Sequence, residues 1–193
     1  MDLSNIFVTV GTTQFDLLIK SVTHPDCIQA LKKRGCKRLK LQVGSGPFMP
    51  ANMNVDGVEI TSYRYKDSIK DDMSWANFVI SHAGAGSCLE ALELEKPLLV
   101  VVNTDLMDNH QFEVATKLKD CEYLHYTTCD NLLSTLFDLD LSRLKAYPKR
   151  DPLKFTSVID YIMGFSNIGK TRKKETTKEA MNNTLFMEAN CWT

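Results

Sequence analysis

Residues 80–90 read Ile80-Ser81-His82-Ala83-Gly84-Ala85-Gly86-Ser87-Cys88-Leu89-Glu90, and their types suit the binding of an anion. An apolar run ends at Ser81, a glycine-bearing turn follows, and helical spacing opens near Ser87. The backbone N–H groups in the first turn of such a helix have no partner within the helix and favour negative charge. Gly84 and Gly86 let a phosphate approach the backbone closely. Two readings fit the turn alone: a phosphate cradle, or a tight strand-to-helix connection whose glycines serve geometry only. Glu90 stands one helical turn beyond Ser87 on the same side. Its carboxylate can accept hydrogen bonds from both hydroxyls of a ribose, or it can complete a capping box with Ser87. Further along, Asn109-His110-Gln111 follows another apolar run and a polar loop. The amide of Gln111 at a helix start can donate and accept at sugar hydroxyls.

Two common nucleotide fingerprints are excluded. After Gly84-Ala85-Gly86 the third glycine of G-x-G-x-x-G is replaced by Leu89, and no Gly-Lys-Ser/Thr of a P-loop occurs. Cys88 stands in the first turn of a helix, where a thiol can be activated, but no base accompanies it in the motif, so it reads as small-residue packing. Trp75 and Phe78 read as core and not as base-stacking platforms. His24 and His125 have no partners that spacing identifies.

The elements that must position these residues follow from alternating patterns. Apolar, β-branched runs at 6–10, 39–43, 58–61, 78–81, 98–103 and 123–126 predict strands. Helical spacing at 67–76, 87–94, 110–118 and 131–137 predicts helices between them. This alternation specifies an α/β domain with a parallel sheet. The runs Phe78-Val79-Ile80 and Leu98-Leu99-Val100-Val101-Val102 are continuous, as in strands buried on both faces. In such a sheet the turns that follow strands lie at the carboxyl edge, where ligands bind. A last amphipathic helix is expected over 153–163. Residues 1–163 are therefore assigned to one domain and 164–193, polar and charged, to a disordered tail.

The 193 residues suit one domain of ordinary size. Hydrophobic residues make up 44% and charged residues 24%, with a formal net charge of -1. This balance gives no reason to expect nucleic acid or an anionic surface as the main partner. No window approaches the roughly 20 apolar residues of a membrane helix. The six cysteines form no C-x-x-C pair and no zinc spacing, so neither a metal nor a structural disulfide is expected, and a reducing, cytosolic setting is.

His82-x-Gly84-x-x-Ser87-x-x-Glu90, followed by Pro97 and by Gln111 near the next helix start, resembles the donor-binding motif of GT-B glycosyltransferases that use UDP-sugars. Residues 5 to about 163 resemble the C-terminal domain of the MurG-like branch. Within that branch, Phe7-Val8-Thr9-Val10-Gly11-Thr12-Thr13, Tyr63-Arg64-Tyr65-Lys66-Asp67-Ser68 and the segment Ser81–Glu90 resemble the two-subunit UDP-N-acetylglucosamine transferases of dolichol-linked oligosaccharide synthesis. The resemblance implies a single Rossmann-like domain equivalent to the C-terminal half of a GT-B enzyme. It implies that Glu90 holds the ribose, that Gly84, Gly86 and Ser87 line the diphosphate with His82 near the phosphates, and that His110 and Gln111 face the N-acetylglucosamine. It likewise implies that Gly11, Thr12 and Thr13 form a second phosphate-facing loop and that Tyr65 and Lys66 meet uracil mainly through backbone. No metal or other cofactor is implied. The acceptor and the general base then belong to a membrane-anchored partner subunit. The resemblance implies that the pair transfers N-acetylglucosamine from UDP-N-acetylglucosamine to dolichol-diphosphate-linked N-acetylglucosamine at the cytoplasmic face of the endoplasmic reticulum. A non-catalytic regulatory paralogue is the alternative. Asp138-Leu139-Asp140 spells the D-x-D by which a different glycosyltransferase fold binds metal, and here reads as a solvated helix end.

Overall fold

β-Branched and aromatic residues that cannot be satisfied on one face drive the centre of the structure. The computed structural model describes residues 3–104 and 109–148, with the side chains of 109–114 left aside. Seven strands form one sheet in the order β3-β4-β2-β1-β5-β6-β7. They are β1 (Asn5–Thr9), β2 (Arg38–Gln42), β3 (Met53–Val55), β4 (Val58–Tyr63), β5 (Phe78–His82), β6 (Leu98–Val102) and β7 (His125–Thr128). All neighbours run parallel except β3, which pairs antiparallel with β4.

Side chains of successive strand residues point to opposite faces, and both faces of this sheet are covered. Ile6, Val8, Phe78, Ile80, Leu99 and Val101 pack with α1 (Asp16–Val22), α2 (Pro25–Lys33) and α6 (Leu132–Asp138). Phe7, Val79, Leu98, Val100 and Val102 join residues of α3 (Lys70–Trp75), α4 (Ala85–Glu93) and α5 (Asn109–Asp120) in the second core. The α/β parallel architecture expected from the alternation is the one observed. Phe78 is fully buried, and Trp75 lies under Arg38 and Lys40, whose charges stand 5.5 and 4.2 Å from its ring.

The differences from the sequence pattern are local. Helices α1 and α2 occupy a stretch with no predicted element. The second of these opens on His24, which accepts from Asp26 N–H, with Pro25 at its first position. Strand β3 also has no predicted counterpart; it joins β4, the strand expected at 58–61, through the two-residue turn Asp56-Gly57, with φ of 53° and 89°. Strand β7 begins two residues later than its apolar pattern, because Leu124 is buried ahead of the ladder. Cys27, Cys36 and Cys88 are free thiols, but Cys121 is disulfide-bonded, contrary to the expectation of none. Among the described residues no helix is long and apolar enough to cross a membrane. The predicted helix 153–163 and the tail 164–193 lie outside the described residues.

Candidate functional site

Strand order reverses direction between β1 and β5. From β1 the chain builds outward to β2, β4 and β3, and from β5 it builds the other way to β6 and β7. The turns leaving two such neighbours diverge and open a crevice at the carboxyl edge. Gly11 follows β1, Gly84 follows β5, and the start of α5 follows β6. The predicted site segments therefore share one edge of three adjacent strands.

His82 closes β5 and is 9% exposed. Its imidazole fills the space between the two glycine turns. A Cβ on Gly11 would lie 2.9 Å from His82 Cε1, and one on Gly84 would lie 2.2 Å from His82 Nε2. Gly11 also has φ +61°, where a side chain is strained. His82 Nδ1 lies 3.4 Å from Thr9 O. A carbonyl oxygen only accepts, so Nδ1 carries the proton. Burial holds the imidazole below its ordinary range, against the opposing effect of that hydrogen bond.

Gly84 is the N-cap of α4 and offers no side-chain cap. The N–H groups of Ala85, Gly86 and Ser87 form the open first turn of that helix. Gly86 differs in kind from Gly84, since a Cβ there would meet nothing within 4 Å. Glu90 lies well inside the helix, so it makes no capping box with Ser87. Its half-exposed side chain has no partner among the described residues. Cys88 donates toward His82 O at 3.6 Å, and burial pushes its thiol up to about 12, so it is an inert packing group.

The turn after β1 divides its labour unevenly. Gly11 N–H donates to Thr9 Oγ1 at 3.0 Å, and Thr13 Oγ1 donates to Val10 O at 2.8 Å. Thr9 Oγ1 in turn donates to Gln42 Oε1. Thr12 alone of the three keeps both its N–H and its hydroxyl unpaired among the described residues. His110 and Gln111 fall in the first turn of α5, and their side chains lie outside the described set.

Pattern reading missed Asp72. This carboxylate, buried in α3, accepts from Lys40 Nζ at 2.8 Å, Lys66 Nζ at 2.7 Å and Tyr63 OH at 2.6 Å. Burial works to raise its pKa, but the two ammonium groups and the phenol hold it below the usual range. Arg64 Nη1 donates to Gly46 O at 2.6 Å. The segment after β4 is thus pinned through Tyr63, Arg64 and Lys66, while Tyr65 is half exposed. The side chain of Lys66 has a definite structural partner, which its expected backbone role did not suggest. Only the clustering of Tyr63, Lys66 and Asp72 within ten positions hinted at it. Asp138 and Asp140 lie elsewhere: Asp140 caps the short 3-10 turn Leu141–Arg143, accepting from Ser142 N–H at 3.0 Å. His125 Nε2 lies 2.9 Å from Asp140 O.

Comparison with known proteins gives the family of this fold. The UDP-N-acetylglucosamine transferase subunit ALG13 of Mus musculus is 54% identical over 123 residues, 64% of this chain and 10% of the relative. The chain thus spans a small part of that protein's own length. The solution structure of ALG13 superposes with TM-score 0.61 at 25% identity, covering 81% of this chain and 95% of that one. The crystal structure of Acinetobacter baumannii MurG gives TM-score 0.59 at 19% identity, covering 85% of this chain but 50% of the enzyme. Its likeness shows the fold alone, one half of a GT-B enzyme. Residues 5–162 match the model of the glycosyltransferase family 28 C-terminal domain, and the chain belongs to that family.

Proposed function

We propose that this chain is the donor-binding half of an inverting N-acetylglucosaminyltransferase, with UDP-N-acetylglucosamine lying along the carboxyl edge of β1, β5 and β6. The observation that carries this is the pair of turns at the β1/β5 switch point, packed on one buried imidazole beside an open helix N-terminus. The N–H groups of Ala85, Gly86 and Ser87 receive the diphosphate, Thr12 supplies a second contact, and Glu90 holds the ribose hydroxyls. His110 and Gln111 take the sugar. As the bond to UDP breaks, those N–H groups and the dipole of α4 meet the charge that grows on the leaving diphosphate. A membrane-anchored partner supplies the acceptor, dolichol-diphosphate-linked N-acetylglucosamine, and the general base. The assembly works at the cytoplasmic face of the endoplasmic reticulum.

Binding tests the donor side directly. UDP-N-acetylglucosamine titrated into the isotope-labelled chain is expected to shift the amide signals of 11–13 and 84–90, with UDP competing and ADP competing poorly. Shifts confined to other elements would overturn the assignment. Transfer by the assembled enzyme is expected to survive EDTA, because backbone dipoles meet the leaving-group charge. A strict requirement for Mn²⁺ or Mg²⁺ would count against this site.

Gly86→Ala separates a folding glycine from a binding one. A Cβ has open space there, and alanine in a helix is favoured over glycine by up to about 1 kcal/mol. Thermal stability is therefore expected to hold or rise. Affinity for UDP-N-acetylglucosamine is expected to fall about tenfold, because the added methyl holds the diphosphate off the backbone N–H groups and weakens roughly 1–2 kcal/mol of hydrogen bonding. Unchanged affinity would assign Gly86 to the turn alone.

A further inference from the structure

His82 is aimed into the crevice in a form that cannot serve an anion. Its ring is held on both flanks, since the Cβ positions of Gly11 and Gly84 are already occupied by imidazole atoms at 2.9 and 2.2 Å. It cannot turn over without leaving Thr9 O, 3.4 Å from Nδ1. With Nδ1–H committed to that carbonyl, a neutral ring presents a bare lone pair at Nε2, next to Gly84 and the open turn of α4. Nε2 has no protein partner among the described residues. A phosphate oxygen is also an acceptor, so the two repel unless a proton lies between them.

We infer that binding of the nucleotide diphosphate is coupled to uptake of one proton from solvent by Nε2 of His82, so that the empty site holds a neutral imidazole and the filled site an imidazolium. The inference rests on the donor-binding assignment above and adds a titrating group to it. The N–H bond forms at Nε2, the proton comes from water or buffer, and no other bond changes.

Few other charges can account for such a linkage. From β1 the ring meets Thr9 and Gly11, from β6 its register partner is Val101, and from α4 it faces Gly84 and Cys88. None of these carries a charge near neutral pH; the Cys88 thiol is held up to about 12. Glu90 lies further along α4, and His110 stands at the start of α5. Burial sets the empty ring below its ordinary range, whereas a bound dianion raises it. Affinity is therefore complete below the pKa of the empty ring and is lost as pH rises towards that of the filled one. The stability of the empty chain has the opposite sign. Its neutral ring favours folding above the unfolded imidazole's pKa, and that contribution declines as pH falls through it.

The test is an NMR titration of the full 193-residue chain, following the ring nitrogens of His82 from pH 5.5 to 8.5, empty and saturated with UDP-N-acetylglucosamine. This ligand is chosen because its diphosphate is a diester and has no ionisation in that window, unlike a terminal phosphate with its second pKa near about 6. The expected results are a higher pKa for the His82 ring on saturation and a Kd that rises about tenfold per pH unit between the two ring values. His82→Asn keeps an N–H for Thr9 O but cannot titrate, so its Kd is expected to be flat with pH. A flat Kd in the parent chain, an unshifted ring, or an unchanged slope in His82→Asn would overturn the linkage, the last pointing to His110. If His82→Asn does not fold, the ring titration of the parent chain decides alone. Absence of binding at every pH would instead remove the donor-binding assignment, and the linkage with it.

Discussion

Incubated with UDP-N-acetylglucosamine and a lipid-linked acceptor, the purified chain is expected to transfer no sugar until a membrane-anchored second subunit is added. The described residues form one sheet, and the proposed donor takes the carboxyl edge of β1, β5 and β6. The chain has the fold of one half of the MurG structure, covering 50% of it. Transfer needs both substrates within reach, and holding them in position accounts for several kcal/mol of a bimolecular barrier, with effective molarities on the order of 10⁵ M or more. A donor domain that leaves the acceptor and its base unplaced forgoes that contribution. The measurement is radiolabelled sugar incorporation into the lipid fraction, with and without the partner. Robust transfer by this polypeptide alone would overturn the two-subunit proposal. Binding without transfer, even with the partner present, would favour the regulatory paralogue.

Glu90→Ala is expected to abolish transfer and leave the fold intact. The carboxylate sits half exposed on α4, six positions into the helix, with no partner among the described residues. Its removal therefore costs the folded state little. Losing two charge-assisted hydrogen bonds to a ribose costs about 2–5 kcal/mol, a reduction of roughly thirty-fold to several thousand-fold. Paired measurements check this: a melting temperature within a degree or two of the parent, and kcat/KM near background. A variant that melts early yet works normally in its folded fraction would make Glu90 a structural residue.

The central strands were legible because burial on both faces leaves a simple mark. Phe78–His82 and Leu98–Val102 are found within a residue of their apolar runs. The carboxyl-edge location of Gly84 and Glu90 followed from the same runs. Short or half-exposed elements left weaker marks. Helix α1 is seven residues long and has no side-chain cap, and β3 is three residues with mostly exposed side chains. Two local signals do mark these elements: Pro25 at a helix start, and Asp56-Gly57 as a two-residue hairpin turn, where both φ values are positive. The cradle around His82 was beyond pattern reading. The resemblance implies a phosphate near His82, but nothing in spacing says that Gly11, from a turn about seventy positions earlier, closes on the same ring. Asp72, on α3, was hidden for the same reason, since Lys40 reaches it from β2.

The strand order also governs how the chain can be built during synthesis. β1 lies at the middle of the sheet, yet its two neighbours arrive at very different times. Residues 38–42 pair with it early, whereas residues 78–82 must wait until twice as much polypeptide has emerged. A ribosome-bound chain released to about residue 65 holds β1, β2, β3 and β4, with one flank of β1 open and Phe7 uncovered. Closing a loop of about seventy residues adds only modestly to the entropic cost, but such long-range pairing is slow and leaves apolar edges exposed meanwhile. The same delay applies to ligand binding, because the His82 ring and its two glycine turns come together only when β5 docks. The core on the Phe7 face and the crevice are therefore completed late, once β5 has docked.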